Sequence, residues 1–252
     1  MEADGLEVSF QNENANGDQP TCNTIMNKFV SGNVDLILAN ATAPLQAAAS
    51  ATSDIPILGT SISSYGAALD DNSMNEVTGR NISGTSDLAP LDQQAAMLNE
   101  WFPDAKNVGL LYCSSEANSK YQIEVIQPEL EKLGYTCTEY TFSDSNDLST
   151  VVTKAAQKSD VIYVPTDNVV ADNTGIIANA VIPAKVPVIA GEQGICAGCA
   201  TICSDVGGMP ELIDTGENGY IFPVGDHKQL ARYMVRLAND SKLRHTFAEA
   251  LY

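Results

Sequence analysis

Basic residues are scarce in this chain of 252 residues, which has 13 Lys and Arg against 32 Asp and Glu and a formal net charge of −19. A chain of this charge cannot neutralise many phosphates, so the composition argues against nucleic acid as a partner. From Thr201 onward there are 5 basic and 7 acidic residues, which leaves 8 and 25 in the first 200. This change in charge predicts that the tail has a different origin.

Long apolar runs are also missing. No stretch approaches the roughly 20 apolar residues that a membrane helix needs, so we predict no membrane insertion by this chain. The first residues, Met1 to Asp4, lack the basic and then apolar start of a signal peptide. A targeting segment is therefore not expected within this chain.

The histidine and cysteine residues are too few, or too poorly spaced, to predict a metal site. The chain has two histidines and six cysteines. Cys196, Cys199 and Cys203 have the spacing C-x2-C-x3-C, but no fourth ligand lies nearby in the sequence, so we predict no metal and no cofactor. A Cys196–Cys199 disulfide and free thiols both remain open. We expect two of the isolated cysteines, Cys113 and Cys137, to be small buried side chains.

Strand and helix patterns alternate at short spacing. The apolar run from Val108 to Tyr112 is typical of a buried parallel strand, and a helical pattern from Ser119 to Leu133 follows it and ends at Gly134. Repetition of this unit predicts an α/β fold with parallel sheets. The alternation from Leu6 to Phe10 predicts one further short strand.

Polar residues follow three of the predicted strands, at the point where each strand ends. They occupy Asn40 to Thr42, Ser114 to Ser119 and Thr166 to Asn168. Ligands of open α/β sheets collect at the carboxyl ends of the strands, where helix N-termini present free N–H groups. Three such ends predict a binding cleft, and the lack of a histidine or an acid pair set near them predicts that the protein is not an enzyme.

The predicted ligand contacts combine hydroxyl, amide and carboxylate groups. Hydroxyl and N–H donors suit a ligand carboxylate, and Asp167 suits an ammonium group. Helix capping is an alternative role for several of them, namely Asn40, Thr42, Thr60, Ser61, Asn118, Ser119 and Asp167. The full set is Asn40, Thr42, Thr60, Ser61, Ser114, Ser115, Glu116, Asn118, Ser119, Thr166, Asp167, Asn168 and Glu192.

Residues from about 7 to 199 resemble a known family. The stretches NATAPLQAAAS, NISGTSDLAPLDQQ, FPDAKNVGLLYCSSEANS, SDVIYVPTDNVVA and VPVIAGEQG occur in the order and spacing of ABC-transporter substrate-binding proteins of the tryptophan or aromatic amino-acid type. The resemblance implies two Rossmann-like lobes of the type I periplasmic binding proteins, at 1–84 and 85–199. It also implies an extracytoplasmic protein that captures an aromatic amino acid by hinge closure and delivers it to an ABC permease.

The chain departs from that family at both ends. The first lobe lacks its usual first strand and helix, and residues 200–252 resemble the C-terminal part of a retaining GT-B glycosyltransferase, so the chain looks chimeric. We expect the tail strand at 219–224 to pair with residues 34–39 and fill the gap, since an unpaired gap leaves backbone groups unsatisfied. The alternative is a loosely packed first lobe.

Two other functions remain open. The tail motif Gly207-Gly208 with Glu211 resembles the nucleotide-sugar region of the transferases, which suggests a glycosyltransferase fragment. The upstream acidic motif and the basic residues for a pyrophosphate are missing, so we favour a structural turn for this motif. The third possibility is a chimeric protein in which binding is lost.

Overall fold

The computed structural model describes residues 8–71, 78–192, 195, 201–204, 213–223 and 226–250. Its contacts divide the chain into two compact units, Met1–Ala89 and Pro90–Tyr252. Helices alternate with strands in both units, and every strand pair of the described residues is parallel. The predicted α/β class with parallel sheets is therefore confirmed.

The first unit contains a three-stranded sheet in the order β1-β2-β3. Asp18 caps the first helix by accepting a hydrogen bond from the N–H of Thr21, and Pro20 lies in the first turn. The elements are α1 (Gln19–Ser31), β1 (Ile37–Asn40), α2 (Thr42–Ala51), β2 (Ile57–Ile62), α3 (Tyr65–Ala68) and β3 (Ile82–Ser86).

Side chains alternate between the two faces of this sheet. Ile37 and Ile57 are buried in one cluster with Leu45 of α2. On the opposite face, Leu38 is 67% exposed and Leu58 is 40% exposed, and the two lie opposite each other in register. The sheet therefore presents a patch of apolar side chains to solvent.

This exposed patch is expected to cause self-association, because contiguous exposed apolar surface favours protein–protein contact. Replacing Leu38→Thr should reduce concentration-dependent association in sedimentation velocity while changing the free energy of unfolding by less than about 0.5 kcal/mol. The control is Val125→Ala, which removes an exposed apolar side chain from the second unit. Equal association of Leu38→Thr and the unmodified protein would contradict this expectation.

The second unit contains a four-stranded parallel sheet in the order β5-β4-β6-β7. Its strands and the helices between them follow the predicted alternation. The elements are α4 (Leu91–Trp101), β4 (Asn107–Cys113), α5 (Ala117–Lys132), β5 (Thr136–Phe142), α6 (Ser145–Lys158), β6 (Val161–Val164), α7 (Asn168–Ala171), α8 (Thr174–Ala184) and β7 (Val188–Ala190).

The central strand β4 is buried on both faces, which explains its continuous apolar sequence. Leu111 and Cys113 belong to a cluster that includes residues of α6 and α8. Leu110 and Tyr112 belong to a second cluster, which includes residues of α4 and α5. The two helical layers therefore hold β4 and the loop that follows it in a fixed position.

The tail forms a small parallel pair, β8 (Thr201–Ser204) and β9 (Gly219–Phe222). Two helices follow, α9 (His227–Asn239) and α10 (Ser241–Ala250). Tyr220 packs with Phe247 in the tail's own cluster and stacks on Tyr233 with 4.1 Å between the ring centroids. The tail thus has an apolar centre of its own.

Two sequence expectations about strands are wrong. Within the described residues, β9 pairs with β8 and β1 pairs with β2, so the expected pairing of 219–224 with 34–39 is not found. Bringing β8 to one edge of β9 closes a shorter stretch of chain than bringing a distant strand there, so it costs less entropy. Residues 8–10 of the expected Leu6–Phe10 strand are not a strand, and Phe10 is 79% exposed, so no apolar contact stabilises it there.

Candidate ligand-binding site

The order of strands in the second unit creates a switch point between β4 and β6. The chain passes from β4 outward to β5 and then returns to β6 on the other side of β4. At such a point the loops after the two strands diverge and leave a crevice at the carboxyl edge of the sheet. The predicted residues Ser114–Ser119 and Thr166–Asn168 follow these two strands, so the structure brings them together.

The backbone of Thr166 connects the loop after β6 to the first turns of α5. Its carbonyl oxygen accepts hydrogen bonds from Asn118 Nδ2 at 3.1 Å and from Ser119 Oγ at 3.1 Å. Both of these predicted side chains are buried. Their polar atoms therefore serve the protein backbone in this structure.

Gln122, which is not among the predicted contacts, is a further polar residue of this region. Its amide oxygen accepts from the N–H of Thr166 at 3.1 Å, and its Nε2 donates to the carbonyl of Thr166 at 3.3 Å. A signal was available, because Gln122 is a polar residue four positions before the buried Ile126 on the apolar stripe of α5. A buried amide on such a stripe needs partners.

The carboxylate of Glu116 reaches from the loop after β4 to the N-terminus of α7. Its Oε1 accepts from the N–H of Val169 at 2.9 Å, and its Oε2 accepts from the N–H of Asn168 at 3.1 Å and from Asn168 Nδ2 at 2.8 Å. Asn118 Nδ2 also donates to Oε2, at 3.0 Å. Both oxygen atoms of Glu116 are thus engaged by the protein.

The carboxylate of Asp167 makes the reverse connection and is fully buried. Its Oδ2 accepts from the N–H of Cys113 at 2.7 Å, and its Oδ1 accepts from the N–H of Val170 at 3.0 Å and caps α7. Burial, together with the negative charge of Glu116, raises the pKa of Asp167 from 3.8 to about 6, against the effect of the N–H donors. The capping alternative is confirmed for Asp167, and its contact with a ligand stays a prediction.

Three predicted residues of this edge expose their side chains: Ser114, Ser115 and Asn168. The Oγ atoms of the two serines donate to the carbonyl oxygens of Phe142 and Ser143, each at 3.1 Å. Hydroxyl oxygens can still accept hydrogen bonds when they donate one. These groups are therefore positioned by the protein while remaining open to a ligand.

The loop after β7 lies against this edge. Gly191 donates to the carbonyl of Val164 at 2.7 Å, and a Cβ atom at Gly191 would lie 3.0 Å from the backbone nitrogen of Thr166. Glycine is needed for this close approach of two loops. The predicted residue Glu192 comes next and is half-buried.

The predicted residues of the first unit lie at the carboxyl ends of β1 and β2. Asn40 is exposed and lies opposite the half-buried Thr60 in register, whereas Thr42 is buried. The N–H of Ala41 donates to the carbonyl of Thr60 at 2.9 Å. Ala41 and Ser61 have φ angles of 86° and 56°, a strained backbone conformation of the kind that occurs at functional sites.

A cavity of about 370 Å³ opens on the other side of β4, between β5 and α6. It shares Ser114 with the predicted set, and Asp147 of α6 contributes a carboxylate. Its remaining lining residues are Thr141, Phe142, Ser143, Thr150 and Val151. This cavity does not include the Thr166–Asn168 segment that follows β6.

Among the described residues, no group of three His, Cys, Asp or Glu side chains could hold a metal ion. Cys196 and Cys199, like the Gly207-Gly208 and Glu211 motif, lie outside the described residues. Cys113 is buried, as predicted, and Cys137 is half-buried. No helix in the described part of the chain combines the length and the apolar character required to cross a membrane.

Two family models match the chain. The model described as ABC transporter substrate binding protein matches residues 2–207, which confirms the resemblance found in the sequence. The model for group 1 glycosyl transferases matches residues 193–252. The two matches meet near the point where the charge of the sequence changes.

A tyrosine-binding protein of Clostridioides difficile (strain R20291) is 36% identical to the chain over 205 residues, which are 81% of this chain and 59% of the relative. A Streptococcus pneumoniae ABC domain solved in complex with L-Trp is 31% identical, with a TM-score of 0.67, over 71% of this chain and 60% of the other. A conserved domain protein of Vibrio cholerae is 32% identical, with a TM-score of 0.71, over 77% of this chain and 67% of the other. The chain thus spans about three fifths of the length of the first two of these relatives.

Proposed function

The chain belongs to the family of ABC transporter substrate-binding proteins, and on that premise we propose that it binds a small amino acid with an aromatic side chain without transforming it. The observation that carries the proposal is the polar edge between β4 and β6, where Ser114, Ser115 and Asn168 are exposed on a rigid network of hydrogen bonds. Pre-positioned polar groups at a switch point favour ligand binding.

The choice of ligand rests on the relatives and on the chemistry of the edge. One relative is named as a tyrosine-binding protein, and another was solved with L-Trp. The hydroxyl oxygens of Ser114 and Ser115 can accept from the ammonium group of an amino acid, and the second side-chain N–H of Asn168 can donate to its carboxylate. The polar residues of the first unit, Asn40, Thr60 and Ser61, are proposed as further contacts, and so is Glu192 in the second unit.

Membership of this family also supports a cellular location and a protein partner. Substrate-binding proteins of ABC transporters work outside the cytoplasm and deliver their ligand to a permease. We therefore propose an extracytoplasmic location and an ABC permease as the protein partner. The net charge of −19 makes nucleic acid an unsuitable partner.

Calorimetric titration with tyrosine, tryptophan and phenylalanine tests this function. We expect saturable heat with at least one of the three, and no heat with lysine, whose second ammonium group replaces the aromatic ring. The absence of heat with all three, in a preparation that unfolds cooperatively, would contradict the proposal and favour a chimeric protein that has lost binding.

A second function is supported by one observation, the match of residues 193–252 to group 1 glycosyl transferases. Under this alternative, the tail would be the nucleotide-sugar part of a transferase. Incubation with a nucleotide-sugar tests it, since transfer or hydrolysis of the sugar would favour the transferase. Heat with an aromatic amino acid and an intact nucleotide-sugar would favour the binding protein.

A further inference from the structure

Glu116 and Asp167 are the acidic side chains of the loops after β4 and β6. The sequence places both among the contacts of a ligand, with a carboxylate ready to accept from an ammonium group. In the structure the carboxylate of Glu116 crosses to the segment after β6, and that of Asp167 crosses to the end of β4. Glu116 accepts from the N–H groups of Asn168 and Val169, and Asp167 accepts from the N–H of Cys113.

The carboxylates of Asp167 and Glu116 are less accessible to a ligand than the sequence suggests. Asp167 has no exposed surface, and its two oxygen atoms already accept from backbone N–H groups. Glu116 is half-buried, and both of its oxygen atoms are occupied in the same way. Burial closes Asp167 to a ligand ammonium group. At Glu116, Oε2 already accepts three hydrogen bonds, and an ammonium group at Oε1 would have to share that atom with the N–H of Val169.

Backbone N–H groups and side-chain amides balance the negative charge of the pair. Within the described residues, no lysine or arginine bonds to either carboxylate, and the nearby Lys120 pairs with Glu124 at 3.9 Å. Backbone N–H groups from the end of β4 and the first turn of α7 face the two carboxylates instead, and the Cys113 thiol is the other titratable group close to Asp167. Charge-assisted hydrogen bonds of this kind are about twice as strong as neutral ones.

We propose that Glu116 and Asp167 are positioning residues: their crossed hydrogen bonds join the loops after β4 and β6 and hold Ser114, Ser115 and Asn168 at the ligand without contacting it. The role in binding rests on the proposed function. The joining of the two loops does not, because it rests on hydrogen bonds between groups of the protein itself.

Amide hydrogen exchange of the ligand-free protein tests the joining of the loops. Glu116→Ala removes both acceptor atoms, so we expect the amides of Asn168 and Val169 to exchange at least about 10-fold faster. Glu116→Gln keeps one acceptor oxygen and should give a smaller increase. The control Glu124→Gln removes one charge from an exposed position of α5 and should leave both amides unchanged.

Affinity for two ligands separates positioning from contact. The first ligand is tyrosine, and the second is 3-(4-hydroxyphenyl)propionate, which lacks the ammonium group. If Glu116 positions the loops, Glu116→Gln weakens the binding of both ligands by the same factor. If Glu116 contacts the ammonium group, the loss is confined to tyrosine, and that result would overturn the proposal.

The two experiments test the proposed function and the positioning role independently. If the unmodified protein binds neither ligand, the proposed function fails, while the exchange rates still decide whether Glu116 joins the loops. Unchanged exchange of Asn168 and Val169 in Glu116→Ala would overturn the positioning role whatever the protein binds.

Discussion

Replacing Asp167→Asn is expected to remove a pH-dependent contribution to the free energy of unfolding of about 3 kcal/mol, since a pKa shift of one unit corresponds to about 1.4 kcal/mol. Burial and the charge of Glu116 raise the pKa of Asp167 from 3.8 to about 6. A raised carboxyl pKa contributes stability that is fully present below the unfolded pKa and is lost as the pH rises through about 6. The side chain in Asp167→Asn cannot ionise, so the free energy of unfolding of this variant does not show this decrease as the pH rises.

The measurement is urea unfolding at a series of pH values, followed by the fluorescence of Trp101, which lies in α4 of the second unit. The stability of the unmodified protein minus that of Asp167→Asn should decrease steadily from about pH 4 to about pH 7. Other titrating groups cancel in this difference when they lie far from the substituted residue. A difference that does not depend on pH would contradict the burial of an ionisable Asp167.

Asp160 provides a control of the opposite sign. Its Oδ2 accepts from the N–H groups of Lys106 and Asn107, each at 2.8 Å, and these bonds lower the pKa of Asp160. A lowered pKa gives stability that is present above the unfolded pKa and is lost as the pH falls through the folded pKa. The stability of the unmodified protein minus that of Asp160→Asn should therefore decrease on acidification, and a decrease on alkalinisation would contradict the assignment.

Replacing Gly84→Ala is expected to unfold the first unit, because β3 leaves no space for a methyl group. A Cβ atom there would lie 2.0 Å from the carbonyl oxygen of Gly59 and 2.1 Å from the hydroxyl of Tyr65, and the φ angle of Gly84 is 156°. Displacing a paired strand backbone should cost on the order of 3 kcal/mol or more. The paired register of β2 and β3 explains why the alternation of the sequence alone does not show this constraint.

Amide exchange in β1 and β2 measures this effect. In Gly84→Ala, the amides of Ile37 and Ile57 should lose protection, while Trp101 fluorescence should still report a folded second unit. Gly175→Ala in α8 is the matched control, since nothing lies within 4 Å of its Cβ position. Alanine should stabilise that helix by about 0.5–1 kcal/mol. Retained protection in Gly84→Ala would show that β3 does not pair as described.

Local patterns were sufficient to predict most elements of the two sheets. The apolar run at β4 is continuous because both faces of that strand are covered, and Gly134 ends the helix before β5 with a φ angle of 96°. The pairing of the tail strand could not be predicted in the same way. Strand partners depend on which segments compete for the same edge, and β8 reaches an edge of β9 across a shorter stretch of chain than a strand far away in the sequence.

The sequence was less informative about the roles of the polar residues. It correctly placed Glu116 and Asp167 at one edge of the sheet, because both follow parallel strands. It could not show that Asp167 is fully buried, since one of its partners in the folded protein, the N–H of Cys113, is 54 positions away. A carboxylate open to a ligand and a buried carboxylate that caps a helix have the same sequence pattern. The apolar stripe of α5 indicates that Gln122 is buried, but not that its partner is Thr166, which is distant in the sequence.

Chemical-shift mapping of the backbone amides during titration with tyrosine tests the central claim most directly. We expect saturable shifts at the amides of Ser114, Ser115, Asn168 and Val169, with smaller changes along β5 and in α9 of the tail. Saturable shifts confined to the tail, or to the cavity between β5 and α6, would contradict the claim that the edge between β4 and β6 holds the ligand.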